Sequence, residues 1–296
     1  MQPPLERLRA GETLCGDGGW GTQLMARGLK PGDSPEDLNL SSPEALVEVA
    51  ALYVEAGAEL ITTNTFGGSS LKLHSYGLDD RTEEINRAAV EVLKPVVADK
   101  AYISASVGPT GKLLKPYGDT EPEAIAEAFN RQMGALVEAG ADLICVETMI
   151  DLGEARLAIE AARSHSEDIP IIATMTFDAT QRGFFTAMGV TVEQACAGLV
   201  EAGADIVGSN CGNGIDKMLE IAAEFAAHSS VPVIIQSNAG VPENRGGEVI
   251  YPESPEFMAE RVPNLMDLGV AIIGGCCGTG PDHIRALRAT IGEHRP

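Results

Sequence analysis

Four stretches of the chain repeat one pattern of hydrophobic and polar positions: VEAGAELITTNT from residue 54, VEAGADLICVET from 137, VEAGADIVGSNC from 200 and the looser MDLGVAIIGGCC from 266. Each reads as the end of a helix, a glycine that closes it in the left-handed conformation, and a short buried strand. The four glycines, Gly57, Gly140, Gly203 and Gly269, recur at intervals of roughly 60 to 85 residues, about twice one βα unit of an eight-unit barrel, so a further strand is expected between successive repeats. Apolar runs flanked by turn residues supply it: TLCGD from 13, AYISASVG from 101, IPIIATMTFD from 169 and VPVIIQSNAG from 231.

Helical segments fall between these strands, as in SPEALVEVAALYVEAG from 42, TEPEAIAEAFNRQMGALVEAG from 120 and SPEFMAERVPNLMDLG from 254. Each opens on Ser or Thr followed by Pro or Glu, and the hydroxyl is expected to cap the free N–H groups of the first turn. Strict alternation of strand and helix predicts a parallel sheet, and eight units predict one closed (β/α)8 TIM barrel spanning residues 1–296. A doubly wound open sheet would announce a phosphate loop after its first strand, and CGDGGWGTQ from 15 matches neither GxGxxG nor the P-loop. Long βα loops from residues 66, 108 and 239 mark the strands' C-terminal ends as the functional face.

Composition narrows the partners. Of 296 residues 44% are hydrophobic and the net charge is −22, which suits a soluble globular protein and opposes nucleic acid or an anionic membrane. No apolar run reaches the roughly 18 residues of a membrane span, and the opening MQPPLERLR lacks a signal peptide's apolar core. The six cysteines are too sparse for a disulfide scaffold, so reduced thiols in a cytoplasmic setting are expected.

Aligning the repeats on their glycines puts Asn64, Glu147, Asn210 and Cys276 in one column and Thr65, Thr148, Cys211 and Cys277 in the next. The repeats are the even-numbered strands, which share side-chain layers, so both columns are expected in one ring at the barrel mouth. There Cys211 meets the Cys276–Cys277 pair. Three convergent thiols are a zinc site with an open fourth position, or three buried cysteines acting as small hydrophobes. Cys15 and Cys145 are expected to fill the barrel one layer down, and Cys196 to pack on a helix. None of the five histidines falls on a strand end, with His283, in the turn after the cysteine pair, the nearest to one. Asp17 and Glu147 are expected to point into the mouth and hold an ammonium group, while Asn238 ends the seventh strand as a polar contact near the metal.

The motifs GDGGWGTQL, VETM, GSNC and GGCCGT, in this strand arrangement, resemble the homocysteine S-methyltransferase family from about residue 10 to 293. The resemblance implies a (β/α)8 barrel with Zn²⁺ on Cys211, Cys276 and Cys277, homocysteine thiolate as the exchangeable fourth ligand, and Asp17 and Glu147 as contacts to the amino acid. It further implies methylation of homocysteine to methionine. GGCCGTGPDHI and SNAGVPENRG lie closer to the cobalamin-dependent branch, whose methionine synthases continue into folate, cobalamin and reactivation modules. A separate methyl-corrinoid protein is therefore the expected donor. The alternatives are a small donor of the betaine or S-methylmethionine type, another thiol acceptor, or a non-catalytic zinc or thiol-binding subunit. A Schiff-base aldolase barrel lacks a lysine at any strand end.

Overall fold

The computed structural model describes residues 1–246 and 248–294. Its frame is eight strands: β1 (Leu14–Cys15), β2 (Leu60–Thr62), β3 (Tyr102–Val107), β4 (Leu143–Met149), β5 (Ile171–Met175), β6 (Ile206–Asn210), β7 (Val233–Ser237) and β8 (Val270–Gly275). Every strand pairs in parallel with its successor from β2 to β8, and β8 pairs with β1. A parallel bridge between Gly16 and Leu60 closes the ring. All eight strands lie where the apolar runs predict them.

Two apolar layers hold the barrel. Leu14, Leu60, Tyr102, Leu143, Ile172, Ile206, Ile234 and Ile272, one from each strand, fill the interior, and Leu8 of the helix Pro4–Arg9 closes its N-terminal end. The opposite faces of the strands pack under the surrounding helices, as with Ile61, Ile103, Ile144 and Val207. Cys145 lies in the interior layer as expected, but Cys15 packs outward against the helices. The period-two extrapolation from Asp17 fails because β1 ends at Cys15, and the chain turns at Gly16 before reaching Asp17. Cys196 is a buried packing residue of the helix Val192–Ala202.

The glycines of all four repeats have positive φ, between 80° and 105°, and stop their helices as the pattern requires. Hydroxyl capping is less general. Ser254 accepts from the Phe257 amide, whereas Ser42 makes no side-chain cap and the helix Pro122–Glu138 begins after Glu121. All three helices begin with proline in the first turn, where it fixes φ and removes a free N–H. The segment from 254 forms two helices, Pro255–Ala259 and Val262–Asp267, because Pro263 cannot donate to the turn before it.

Antiparallel hairpins, Asp178–Thr180 with Gly183–Phe185 and Glu243–Arg245 with Glu248–Ile250, extend the loops after β5 and β7. No helix among the described residues is long and apolar enough to cross a membrane.

Candidate active site at the barrel mouth

The strand ends surround a cavity of about 330 Å³ whose wall includes Asp17, Glu147, Cys211, Cys276 and Cys277 together with Trp20, Phe66 and Tyr251. The three sulfurs lie within 4.8 Å of one another, with Cys211 Sγ 3.9 Å from Cys277 Sγ. Backbone turns bring them there. Cys211 follows β6 directly at φ 62°, a left-handed conformation that costs a non-glycine residue about 1–3 kcal/mol, and Gly212 continues it at φ 76°. The Cys211 amide donates to the Gln236 carbonyl at 3.1 Å, and its own carbonyl accepts from Asn213 at 2.9 Å, which holds the turn. After β8, Cys276 donates its amide to Ser237 O at 2.7 Å and its carbonyl accepts from Thr279. Gly278 reverses the chain at φ 81°. The neighbouring side chains of Cys276 and Cys277 thus converge once the strand has ended.

The thiols do not titrate independently. Hydrogen bonds from Cys276 and Cys277 hold the Cys211 thiol well below the ordinary range, and the resulting charge pushes Cys276 and Cys277 up. Such a cluster shares one negative charge among three sulfurs, and a bound cation would release the remaining protons.

Asp17 is buried two residues beyond β1. Its Oδ2 accepts from Trp20 Nε1 and from the Thr62 amide, both at 2.7 Å, and its Oδ1 accepts from Thr62 Oγ1 at 2.8 Å. Burial still pushes its pKa up to about 6. Glu147 accepts from Ser106 Oγ and from Asn210 Nδ2, the latter at 3.1 Å. Burial chiefly, opposed by the Ser106 hydrogen bond and reinforced by the charges of Asp17 and Cys211, pushes it up to about 7. Among the described residues neither carboxylate has an ion-pair partner, so the cavity holds two desolvated acids beside the thiols with no cation to offset them.

The column Glu147, Asn210 and Cys276 comes together as the alignment predicts, Asn210 Nδ2 reaching Glu147, Thr148 Oγ1 at 2.7 Å and Cys276 Sγ at 4.0 Å. Asn64 instead turns to the first loop, donating to Pro35 O at 2.6 Å and Asn39 Oδ1 at 2.9 Å, and Thr65 donates to Ser106 O. Asn238 follows β7, donates its amide to the Asn213 carbonyl at 3.0 Å and leaves its buried Oδ1 without a protein partner. His283 is away from the sulfurs: its Nδ1 accepts from the Gly280 amide at 3.2 Å and its Nε2 meets Glu253 O at 3.0 Å, capping the last helix. Sequence reasoning missed Trp20, Thr62, Ser106 and Tyr251. Serines at alternate positions of the otherwise apolar β3 could have signalled Ser106. Nothing local marks Tyr251, which lies beyond a hairpin.

Comparison with known proteins places this geometry. The homocysteine S-methyltransferase family model matches residues 14–291. Methionine synthase of Mycobacterium leprae is 31% identical over 97% of this chain, and that of Mycobacterium tuberculosis is 31% identical over 94%. The chain spans about a quarter of the length of each. Among solved structures, the metallated form of the homocysteine methyltransferase MmuM from Escherichia coli superposes with a TM-score of 0.80, covering 97% of this chain and 99% of that one at 23% identity, which supports the fold. With residues 14–291 matched by the family model, the chain belongs to the homocysteine S-methyltransferase family.

Proposed function

We propose that this protein is a zinc-dependent homocysteine S-methyltransferase, with Cys211, Cys276 and Cys277 as the metal ligands. The convergence of three thiols on a cavity that also holds two uncompensated carboxylates carries this reading. Zinc–sulfur bonds of about 2.3 Å in a tetrahedron separate ligand sulfurs by roughly 3.8 Å, and the Cys211–Cys277 separation of 3.9 Å fits that spacing without rearrangement. Cys211, Cys276 and Cys277 line the cavity and would hold the metal within reach of a substrate thiol. When bound there, the metal supplies the means to deprotonate an incoming thiol at neutral pH and keep it as a nucleophile.

The chain's own residues do the rest. Asp17 and Glu147 bind the substrate ammonium, whose charge restores both acids to their ionised forms, and Trp20, Thr62 and Ser106 fix the two carboxylates in place. The substrate's thiolate sulfur would attack the methyl carbon, the S–CH₃ bond forming as the donor–CH₃ bond breaks and the bonding pair leaving with the donor. Asn238, at the end of β7, is a polar contact near the ligand set.

The likeness to methionine synthases supports a separate methyl-corrinoid protein as donor, since a corrin ring exceeds the cavity and must approach from its open side. A small cationic donor is the second reading, favoured by the Trp20, Phe66 and Tyr251 rings on the cavity wall, which suit an onium methyl group. Single-turnover assays with labelled methyl donors test both. Methyl transfer to homocysteine in preference to other thiols is expected, and an equal rate with all thiols would remove the role given to Asp17 and Glu147. Binding of homocysteine with no turnover from any donor would leave a non-catalytic thiol-binding subunit.

A further inference from the structure

Glu147 enters the cavity through an irregularity in its strand. β4 and β5 pair in register from Ile144 with Ile171 to Val146 with Ala173 and resume at Met149 with Met175, so Glu147 and Thr148 together stand opposite Thr174 alone. Val146 and Met149 both pack outward under the helices, and the two residues between them both line the cavity. An uninterrupted strand would send only one of the two inward. The extra residue is absorbed at Thr148, whose φ of 59° is left-handed, a conformation that a β-branched residue keeps only where its surroundings impose it.

One carboxamide imposes it. Asn210, wholly buried at the end of β6, reaches past β5 and uses both ends of its side chain. Its Oδ1 accepts from the Thr148 amide and from Thr174 Oγ1, both at 2.8 Å, while its Nδ2 donates to Thr148 Oγ1 at 2.7 Å and to Glu147 Oε2 at 3.1 Å. Because a backbone amide can only donate, the orientation of the carboxamide is fixed, and Nδ2 is the end that faces the carboxylate. Ser106 holds the other carboxylate oxygen, Oε1.

We propose that Asn210 is a positioning residue for the substrate ammonium: it locks the bulge at Thr148 and so aims the Glu147 carboxylate into the cavity. The inference rests on the ammonium contact given to Glu147 above. An aspartate at 210 would set an acceptor against Glu147, and an apolar residue would leave the Thr148 amide and the Thr174 hydroxyl without their partner.

The test compares the affinity of the zinc-loaded full chain for homocysteine and for 4-mercaptobutanoate, which keeps the thiol and carboxylate and lacks the amino group. The parent is expected to prefer homocysteine. Asn210→Ala should cut that preference about tenfold or more while binding 4-mercaptobutanoate as before, since only the ammonium contact is lost. Asn210→Ala combined with Thr148→Gly should recover most of the preference, because glycine holds a φ near 59° without support. Equal weakening of both thiols, an unchanged preference, no recovery in the double variant, or loss of bound zinc from Asn210→Ala would each overturn this inference alone. Should Asn210→Ala fail to fold, Thr148→Val, which removes only the hydroxyl that Nδ2 meets, is expected to lower the same preference about threefold, and an unchanged preference there would overturn the inference. No preference in the parent would overturn the ammonium contact of Glu147 and this inference with it.

Discussion

The two ends of the barrel handle buried charge in opposite ways. At the N-terminal end Glu59 is nearly enclosed, yet Arg7 Nη2 pairs with it at 2.6 Å and also with Glu12 at 2.9 Å, while Arg288 Nε lies 3.8 Å from its other oxygen. Leu8 plugs the interior there, and Tyr102 donates its hydroxyl to the Gln2 carbonyl. At the mouth, Asp17 and Glu147 are as well enclosed and have neutral donors only. A left-handed Cys211 and an orphaned Asn238 oxygen accompany them. One end satisfies its own charges, and the other leaves charge and strain for a ligand to settle, as expected of a barrel that keeps its stability below and its chemistry above.

The largest effect expected on this contrast comes from the sulfurs. Cys211→Ala, Cys276→Ala or Cys277→Ala should each reduce bound zinc from stoichiometric to trace levels and methyl transfer to background, while Cys196→Ala changes neither. Metal analysis beside a rate assay reads this. Full zinc and activity in all three single variants would break the contrast at its centre.

Charge removal separates the ends next. Glu147→Gln should raise the KM for homocysteine by about 30- to 150-fold, the equivalent of the 2–3 kcal/mol of a charged hydrogen bond. It should leave thermal stability unchanged or higher. Arg7→Ala should do the reverse, costing about 1–3 kcal/mol of stability by leaving Glu59 without its main partner, with KM unaltered. Similar KM changes in both variants would mean that the ends are not functionally distinct.

Acidity gives a third measure, with a definite sign. The folded pKa values of Asp17 and Glu147, about 6 and 7, lie above the unfolded values near 4. The folded protein therefore binds more protons between about pH 4 and 7. Their contribution to stability is fully present below the unfolded pKa values and is lost as pH rises through the folded ones. Glu83 and Glu84, lowered by their arginine partners, act in the opposite sense, so the informative quantity is the difference between parent and variant. In the ligand-free protein, the stability advantage of Glu147→Gln over the parent should grow as pH rises from about 4 to 7 and level off above it. Chemical denaturation across that range measures it, and a difference independent of pH would show that Glu147 titrates normally. The smallest effect is Ser106→Ala, expected to raise KM about threefold to tenfold through loss of one hydrogen bond to Glu147, about 1 kcal/mol.

What the sequence makes legible follows the same division. The barrel is readable because the VEAG repeat fixes a helix end, a left-handed glycine and a strand start in a few residues, and the interleaved apolar runs complete the ring. The cysteine triad is readable because those repeats set a common register at the strand ends. Asp17 is found, although its period-two relation to Cys15 misleads, since the strand stops before the turn that carries the acid inward. The missing parts depend on chain excursions that no register describes. Trp20 reaches Asp17 from the first turn of a helix, and Thr62 does so across the closing seam from β2. Tyr251 returns to the turn at Gly278 only after a hairpin whose presence the loop composition does not reveal. Ser42 shows the same limit on a smaller scale, where a capping residue type stands at the right place and makes no cap.

X-ray absorption at the zinc edge of the purified, reduced protein, with and without homocysteine, tests the central claim most directly. A change from three sulfur ligands and one light atom to four sulfurs is the result predicted here. Absence of bound metal, or a metal whose ligands do not change when homocysteine is added, would contradict it.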